Sequence, residues 1–325
     1  MPRRARSFDV IIVGAGPAGL SAALVLGRCT RKVLVCDRDT PRSWASKAMH
    51  AFISRDGIAP RLFRRKAIEE LKRYKSIRFW RGEVTDAGRH RGGGFDVRVG
   101  RDVVHCRKLL LATGVMDQLP DIPGFVELFG RNVFQCPYCD GWEFRDEPLV
   151  AYGRKLRGLQ MARALTAWSD DILLCTDGAS RLGKKQLAQL QRNGVMLCEK
   201  RIARLESAGG EVTVVFRDGE SVSRSALFFD TPVRNQSSLA ARLGCSFNRQ
   251  GGVICGKYEA TDVPGLYAAG NIIKDVQLSI VAAAEGARAA FGINRALTRE
   301  DFDRRGRSGA ARLAADRRRR RPAAA

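Results

Sequence analysis

The chain has 325 residues, enough to bury a sizeable core and to hold about two domains at roughly 150 residues each. Its formal charge of +23 invites a nucleic-acid partner, yet the nine Arg and three Asp of segment 301–325 carry only +6 of it and the rest is diffuse. Diffuse charge with no recognition motif of interleaved aromatics argues against specific nucleic-acid binding, and the apolar run Val10 to Val13 is too short for a signal or a membrane span, so a cytoplasmic protein with no membrane partner is expected.

Phe8 to Val13 reads as an apolar strand that feeds Gly14-Ala15-Gly16-Pro17-Ala18-Gly19, followed by a helix predicted over Leu20 to Leu26. The first glycine allows a tight turn, the second admits a pyrophosphate to the backbone, and the third packs helix on strand, with the helix N-terminus facing the anion. A second strand, Lys32 to Cys36, ends at Asp37, placed to accept a hydrogen bond from an adenosine ribose hydroxyl. Together these predict one complete dinucleotide site.

Pro41 to Tyr74 reads as a loop and a basic helix, with His50 in the loop as a surface or packing residue. Glu83 to Val99 and Val103 to Thr113 alternate or run apolar around Gly92-Gly93-Gly94, which predicts a small antiparallel sheet returning into a core strand that ends at Ala112-Thr113-Gly114. His90 and His105 show no partner pattern and receive no role.

After a proline-bearing crossing comes Cys136-Pro137-Tyr138-Cys139-Asp140, where two of the nine cysteines sit within one helical turn and can close a small disulfide. Pro137 suits a first helical position, which makes Cys136 the cap, and the free N–H groups there favour its thiolate. Asp140 can supply or take the proton that a thiol gains or loses. Zinc would require a second close pair of Cys or His ligands, and none exists, so no metal is expected. The other seven cysteines are scattered, as suits a reduced chain with buried thiols.

A second unit then repeats the first about 140 residues later: strand Leu149 to Tyr152, loop Gly153 to Gly158, helix Leu159 to Trp168, strand Asp171 to Cys175, and an antiparallel pair leading to Leu227-Phe228-Phe229-Asp230-Thr231-Pro232. Here Lys155 replaces the middle glycine, and Thr176 to Ser180 lack the arginines that would pair with a 2′-phosphate. NAD(P)H therefore has no evident cradle. The last folded part carries Gly270 and a helix of small residues starting near Gln277, able to press close to a flat ring.

GAGPAGL, the ATG at 112–114, CPYCD, and TDVPGLYAAG before a Gln-started helix resemble the low-molecular-weight thioredoxin reductases, which are FAD-dependent pyridine-nucleotide disulfide oxidoreductases. The likeness covers residues 8 to about 298. CPYCDGWE, YGRKLRG, LCTDG and LFFDTP are similar to the branch of gliotoxin and holomycin dithiol oxidases. That resemblance implies an α/β fold of two Rossmann-like domains of three-layer ββα type, the second inserted in the first. Residues 1–118 and 235–300 would bind FAD, 119–234 would carry the CxxC and a degenerate NAD(P)-like fold, and 301–325 would be a disordered Arg-rich tail. It implies that Gly14, Gly16, Pro17, Ala18, Gly19 and Asp37 hold the ADP half of FAD, and that Thr113, Gly114, Gly270, Asn271, Gln277 and Leu278 line its flavin half. Cys136 would exchange with substrate, Cys139 would face the flavin, and Asp140 would be acid or base. The chain departs from the family at Asn271, where Asp is usual, and at Glu143-Phe144, where several relatives have a His. The favoured expectation is a homodimeric oxidase that closes a small-molecule dithiol and passes the electrons to oxygen. The alternatives are an NADPH-driven reductase of a thioredoxin-like protein, and a flavin-binding protein without turnover.

Overall fold

A computed structural model describes the backbone of residues 7–319 and the side chains of residues 7–306. Strand β1 (Ser7–Val13) alternates its side chains between two cores. Ile11 and Val13 point to one, Val10 and Ile12 to the other. The period of two along a strand buried on both faces is what makes three layers here. Against one face pack helix α1 (Pro17–Arg28) and, from the far end of the chain, α8 (Ser279–Arg319). Against the other lies the meander of β4 (Val84–Arg89), β5 (Phe95–Val99) and the first half of β6 (Asp102–Leu111). The parallel layer holds β2 (Val33–Asp37) and β3 (Ile77–Arg81) on one side of β1, with β6 and then β17 (Leu266–Ala268) on the other. Helix α2 (Pro60–Leu71) joins β2 to β3. Segment 266–268 thus completes a sheet begun at Ser7.

Between these two parts the chain runs out along β7 (Val115–Asp117) and back along β16 (Val233–Asn235), which pair antiparallel with Val115 opposite Asn235 and Asp117 opposite Val233. The segment between them builds a second unit. After the one-turn helix α3 (Phe125–Leu128), strands β8 (Val133–Phe134), β9 (Leu149–Tyr152), β10 (Ile172–Cys175), β11 (Met196–Cys198) and β15 (Ala226–Phe229) form a parallel sheet in the order β11-β10-β9-β15-β8. Its faces divide as before. Val150, Tyr152, Leu173, Leu227 and Phe229 meet the meander of β12 (Ile202–Ala208), β13 (Glu211–Phe216) and β14 (Ser221–Arg224). Leu149, Ala151, Leu174 and Phe228 meet helices α5 (Lys155–Leu165) and α6 (Lys184–Arg192). The fold is the expected α/β pair of Rossmann-like units.

Two expectations change. Segment 301–319 is not a disordered tail but continues α8, because Ala and Arg are good helix formers and its root is clamped: Asp301 pairs with Arg31 at 2.6 Å and with Arg107 at 2.8 Å, and Glu300 with Arg107 at 2.8 Å. Residues 320–325 lie outside the described residues. His90 and His105 do have a partner, since the hairpin brings both to Asp96. Among the described residues no helix is long and apolar enough to cross a membrane.

Candidate active site

The turn after β1 requires glycine. Gly14 has φ +109°, and a Cβ there would lie 2.3 Å from the Ala112 carbonyl oxygen. The chain can then enter α1 with Gly16 as N-cap and Pro17 at the first helical position, leaving backbone N–H groups free at the helix start. That end opens into a cavity of about 1120 Å³. Gly14, Gly16, Pro17, Ala18, Asp37, Thr113, Gly114, Gly270, Asn271 and Gln277 all line it, together with Cys136, Cys139 and Asp140. Gly19 does not reach the cavity and acts in packing, close against the Gly14 carbonyl. Leu278 is also off the cavity wall, and its carbonyl accepts the Ala282 N–H at 3.0 Å as α8 begins.

The lining fits a flavin dinucleotide. The volume lies at or above the upper end of the range for small-ligand sites, as a long cofactor requires. A Cβ at Gly16 or Gly114 would meet nothing within 4 Å, so the backbone there stands bare for a ligand. Thr113 Oγ1 is buried on this wall with no hydrogen-bond partner, which leaves a polar atom waiting for one. Asp37 departs from the simple expectation, since its carboxylate is paired with Arg64, which also holds Asp39. A ribose hydroxyl would have to share Asp37 with that guanidinium.

The paired cysteines sit at α4 (Pro137–Asp140), a single turn with Cys136 as N-cap and Cys139 within it. Both cysteines are free thiols, with their Sγ atoms 2.7 Å apart. The Cys136 thiol is drawn down chiefly by the hydrogen bond from Cys139, helped by the backbone N–H groups of Cys139 and Tyr138. Cys139 is pushed up by that same bond and by burial, with Arg42 acting the other way. In the dithiol the charge therefore belongs on Cys136 and the proton on Cys139. Asp140 is pushed up to about 7 by burial and by the like charge of Glu143, against which His50 acts. A carboxyl so poised exchanges protons at neutral pH.

Sequence reasoning missed three side chains of this site. Arg42 binds Asp117 through two bonds, at 2.8 Å and 2.5 Å, and also reaches Gln277 and Gln135, so one guanidinium ties four segments around the cavity. Arg64 is the second. His50 is the third, for it lines the cavity with Nε2 3.4 Å from Glu143 Oε1 and Nδ1 3.5 Å from Asp56 Oδ2. No spacing in the loop 41–59 or on α2 announces them; only the tertiary fold brings them in.

The second unit differs where its nucleotide would lie. Lys155 holds a left-handed φ of +56°, and Arg154 spans from the loop to Asp177 at 2.5 Å, while Asp177 also accepts the Ile202 N–H at 3.0 Å. The loop and the acid thus satisfy each other. The expected lack of arginines holds for 176–180 but not in space, because Arg154 and Arg201, the latter 3.9 Å from Asp177, come from elsewhere in the chain.

Residues 8–286 match the family described as pyridine nucleotide-disulphide oxidoreductase. Thioredoxin reductase tcpT of Claviceps purpurea is 32% identical over 81% of this chain and 86% of its own. Thioredoxin reductase sirT of Leptosphaeria maculans is 29% identical over 88% and 93%. The crystal structure of HlmI superposes with a TM-score of 0.90 at 34% identity, covering 94% of this chain and 98% of that one.

Proposed function

We infer the activity from a plain premise: the chain belongs to the pyridine nucleotide-disulphide oxidoreductase family and is an FAD-dependent, thioredoxin reductase-like enzyme. Within that class we propose a dithiol oxidase, which closes a disulfide in a small molecule and delivers the electrons to oxygen. The observation that carries this reading is the Arg154–Asp177 ion pair laid across the second nucleotide loop, which leaves the redox pair without a ready pyridine-nucleotide route.

The proposed cycle starts from the Cys136–Cys139 disulfide. Asp140 takes the proton of a substrate thiol, and the thiolate attacks Cys136 Sγ, the sulfur at the helix cap. The sulfur–sulfur bond breaks and Cys139 leaves as a thiolate. Burial opposes that charge, which makes Cys139 the stronger nucleophile of the pair. The substrate's second thiol, deprotonated in turn, displaces Cys136 from the mixed disulfide and frees the oxidised product. FAD held in the cavity would supply a two-electron acceptor for the enzyme dithiol and a route for those electrons to oxygen, with hydrogen peroxide as the product. Gly14, Gly16 and the α1 N-terminus would hold its pyrophosphate, Thr113 and Gly270 would line its flavin half, and His50 with Glu143 sets the charge around Asp140.

Two observations favour a second reading, an NADPH-dependent reductase of a thioredoxin-like protein: Arg154 and Arg201 could pair with a phosphate if they released Asp177, and the tcpT and sirT relatives carry the name thioredoxin reductase. The proposal places the enzyme in the cytosol, where its unpaired cysteines stay reduced, and as a homodimer, as the family resemblance implies.

The test is to follow the flavin spectrum and oxygen uptake of the purified enzyme. A small dithiol should bleach the flavin anaerobically and, in air, consume oxygen and yield peroxide without NADPH. Cys136→Ser and Cys139→Ser should each keep the flavin and lose turnover. Bleaching by NADPH, with reduction of a protein disulfide at its expense, would replace the oxidase reading with the reductase one.

A further inference from the structure

We propose that His90, Asp96 and His105 form a binding site for zinc on the meander of the first unit, separate from the redox cavity. The strands dictate the arrangement. On β5 and β6 the alternate residues Phe95, Val97, Val104 and Cys106 are fully or almost fully buried, so Asp96 and His105, which stand opposite each other in register, are held on the outer face of a rigid sheet. The turn through Gly92 to Gly94 then folds His90 back, with its carbonyl accepting the Gly93 N–H at 3.0 Å and its N–H donating to the Gly94 carbonyl at 3.1 Å.

Three donor side chains therefore converge from the two ends of a hairpin and the neighbouring strand. His90 Nδ1 lies 2.9 Å from Asp96 Oδ2, and His105 Nδ1 lies 3.3 Å from Asp96 Oδ1. The two rings are 4.5 Å apart, and one ligand atom from each residue falls within 4.8 Å of the others. In a zinc centre with bonds of about 2.0–2.1 Å, ligand atoms sit about 2.9 Å apart at right angles and about 3.3 Å apart in a tetrahedron. Both nitrogen–oxygen separations fall in that range, so the three donors already stand close enough for one ion to draw them together.

Two imidazoles and one carboxylate suit zinc and its neighbours, while calcium and magnesium want oxygen alone. His105 is the most covered at 24% exposure, and the open side leaves room for water to complete the coordination. Arg89, one of the two arginines flanking His90, lies over the Phe95 ring. In the metal-free state the two imidazoles hydrogen-bond to the shared carboxylate, and zinc would displace the bridging protons. A bound ion would pin the β4–β5 hairpin to β6.

The experiment uses the full chain loaded with FAD, kept oxidised so that the Cys136–Cys139 disulfide is closed, stripped of metal and titrated with zinc chloride by calorimetry. The expected result is one zinc ion per chain. His90→Ala and His105→Ala should each weaken binding at least about 100-fold, beyond the loss typical of outer-shell partners, with flavin content and dithiol turnover unchanged. His90→Asn serves if the alanine variant folds poorly, and zinc should slow amide exchange in segment 84–99 of the wild type. The proposal is overturned if the wild type takes up no zinc, if the histidine variants bind it as tightly, or if uptake vanishes only in Cys136→Ser.

Discussion

Replacing Asp140 by Asn should stabilise the protein at alkaline pH while disabling it. An ordinary Asp titrates at 3.8, and burial lifts this one to about 7. Between those values the unfolded chain has released the proton and the folded one keeps it, so wild-type stability falls as pH rises from about 4 to about 7 and stays low above that. A rise of roughly three pH units corresponds to about 4 kcal/mol at most, by 1.36 kcal/mol per unit. Asn carries no charge to bury and escapes this cost. Thermal unfolding of FAD-loaded protein, followed by flavin fluorescence, should show the variant near wild type at about pH 4 to 5 and several degrees above it at about pH 8.5, at roughly 2–4 °C per kcal/mol for chains of this order. Turnover should drop about 100-fold or more, since Asn cannot accept a proton, and the wild-type limb of kcat/KM that rises near pH 7 should vanish. A variant-minus-wild-type difference that is the same at both pH values would refute the buried-carboxyl argument.

Arg42→Ala should cost about 3–5 kcal/mol in urea unfolding, because it strands Asp117, whose side chain is only 6% exposed, and Arg42→Lys should rescue little because an ammonium lacks the fork. Gly286→Ala should lose flavin on gel filtration: its Cβ would lie 2.0 Å from the Ala18 carbonyl oxygen, which forces α8 away from the helix whose start is proposed to hold the pyrophosphate. Removing residues 302–325 should leave flavin content and thiol turnover unchanged, because Glu300 and Asp301 keep their arginine partners; a large loss of activity would show that the basic end of α8 reaches the site or a partner.

The parts of this protein that were legible in the sequence are those where chemistry and backbone agree over a few residues. Gly14 to Gly19 between a strand and a helix, and Cys136-Pro137 at a helix start, announce themselves because each residue type answers a local demand of geometry. The side chains that surround Asp140 do not, since His50 comes from a loop with no periodicity about 90 residues before Glu143. The His90, Asp96 and His105 cluster failed for a subtler reason. Its strands were foreseen, but the register that sets Asp96 against His105 depends on how the turn is made, and a shift of one residue would turn one of them into the core. Segment 301–319 misled because helix formation there rests on Ala and Arg propensity and on ion pairs at Asp301, neither of which leaves an apolar stripe.

The pairing of β7 with β16 bears on how such a chain assembles. Asp117 and Val233 stand opposite each other, so the second unit leaves and re-enters the first at one point. To the first sheet the whole insertion is a single loop of on the order of 115 residues, and the entropy of closing a loop grows only with the logarithm of its length, roughly 0.6 kcal/mol per doubling. Strand β17 can therefore find its edge of β6 at almost the same cost whether the intervening chain is long or short. The β7–β16 junction is accordingly the natural seam at which to excise the second unit, replace it, or move the chain termini by circular permutation.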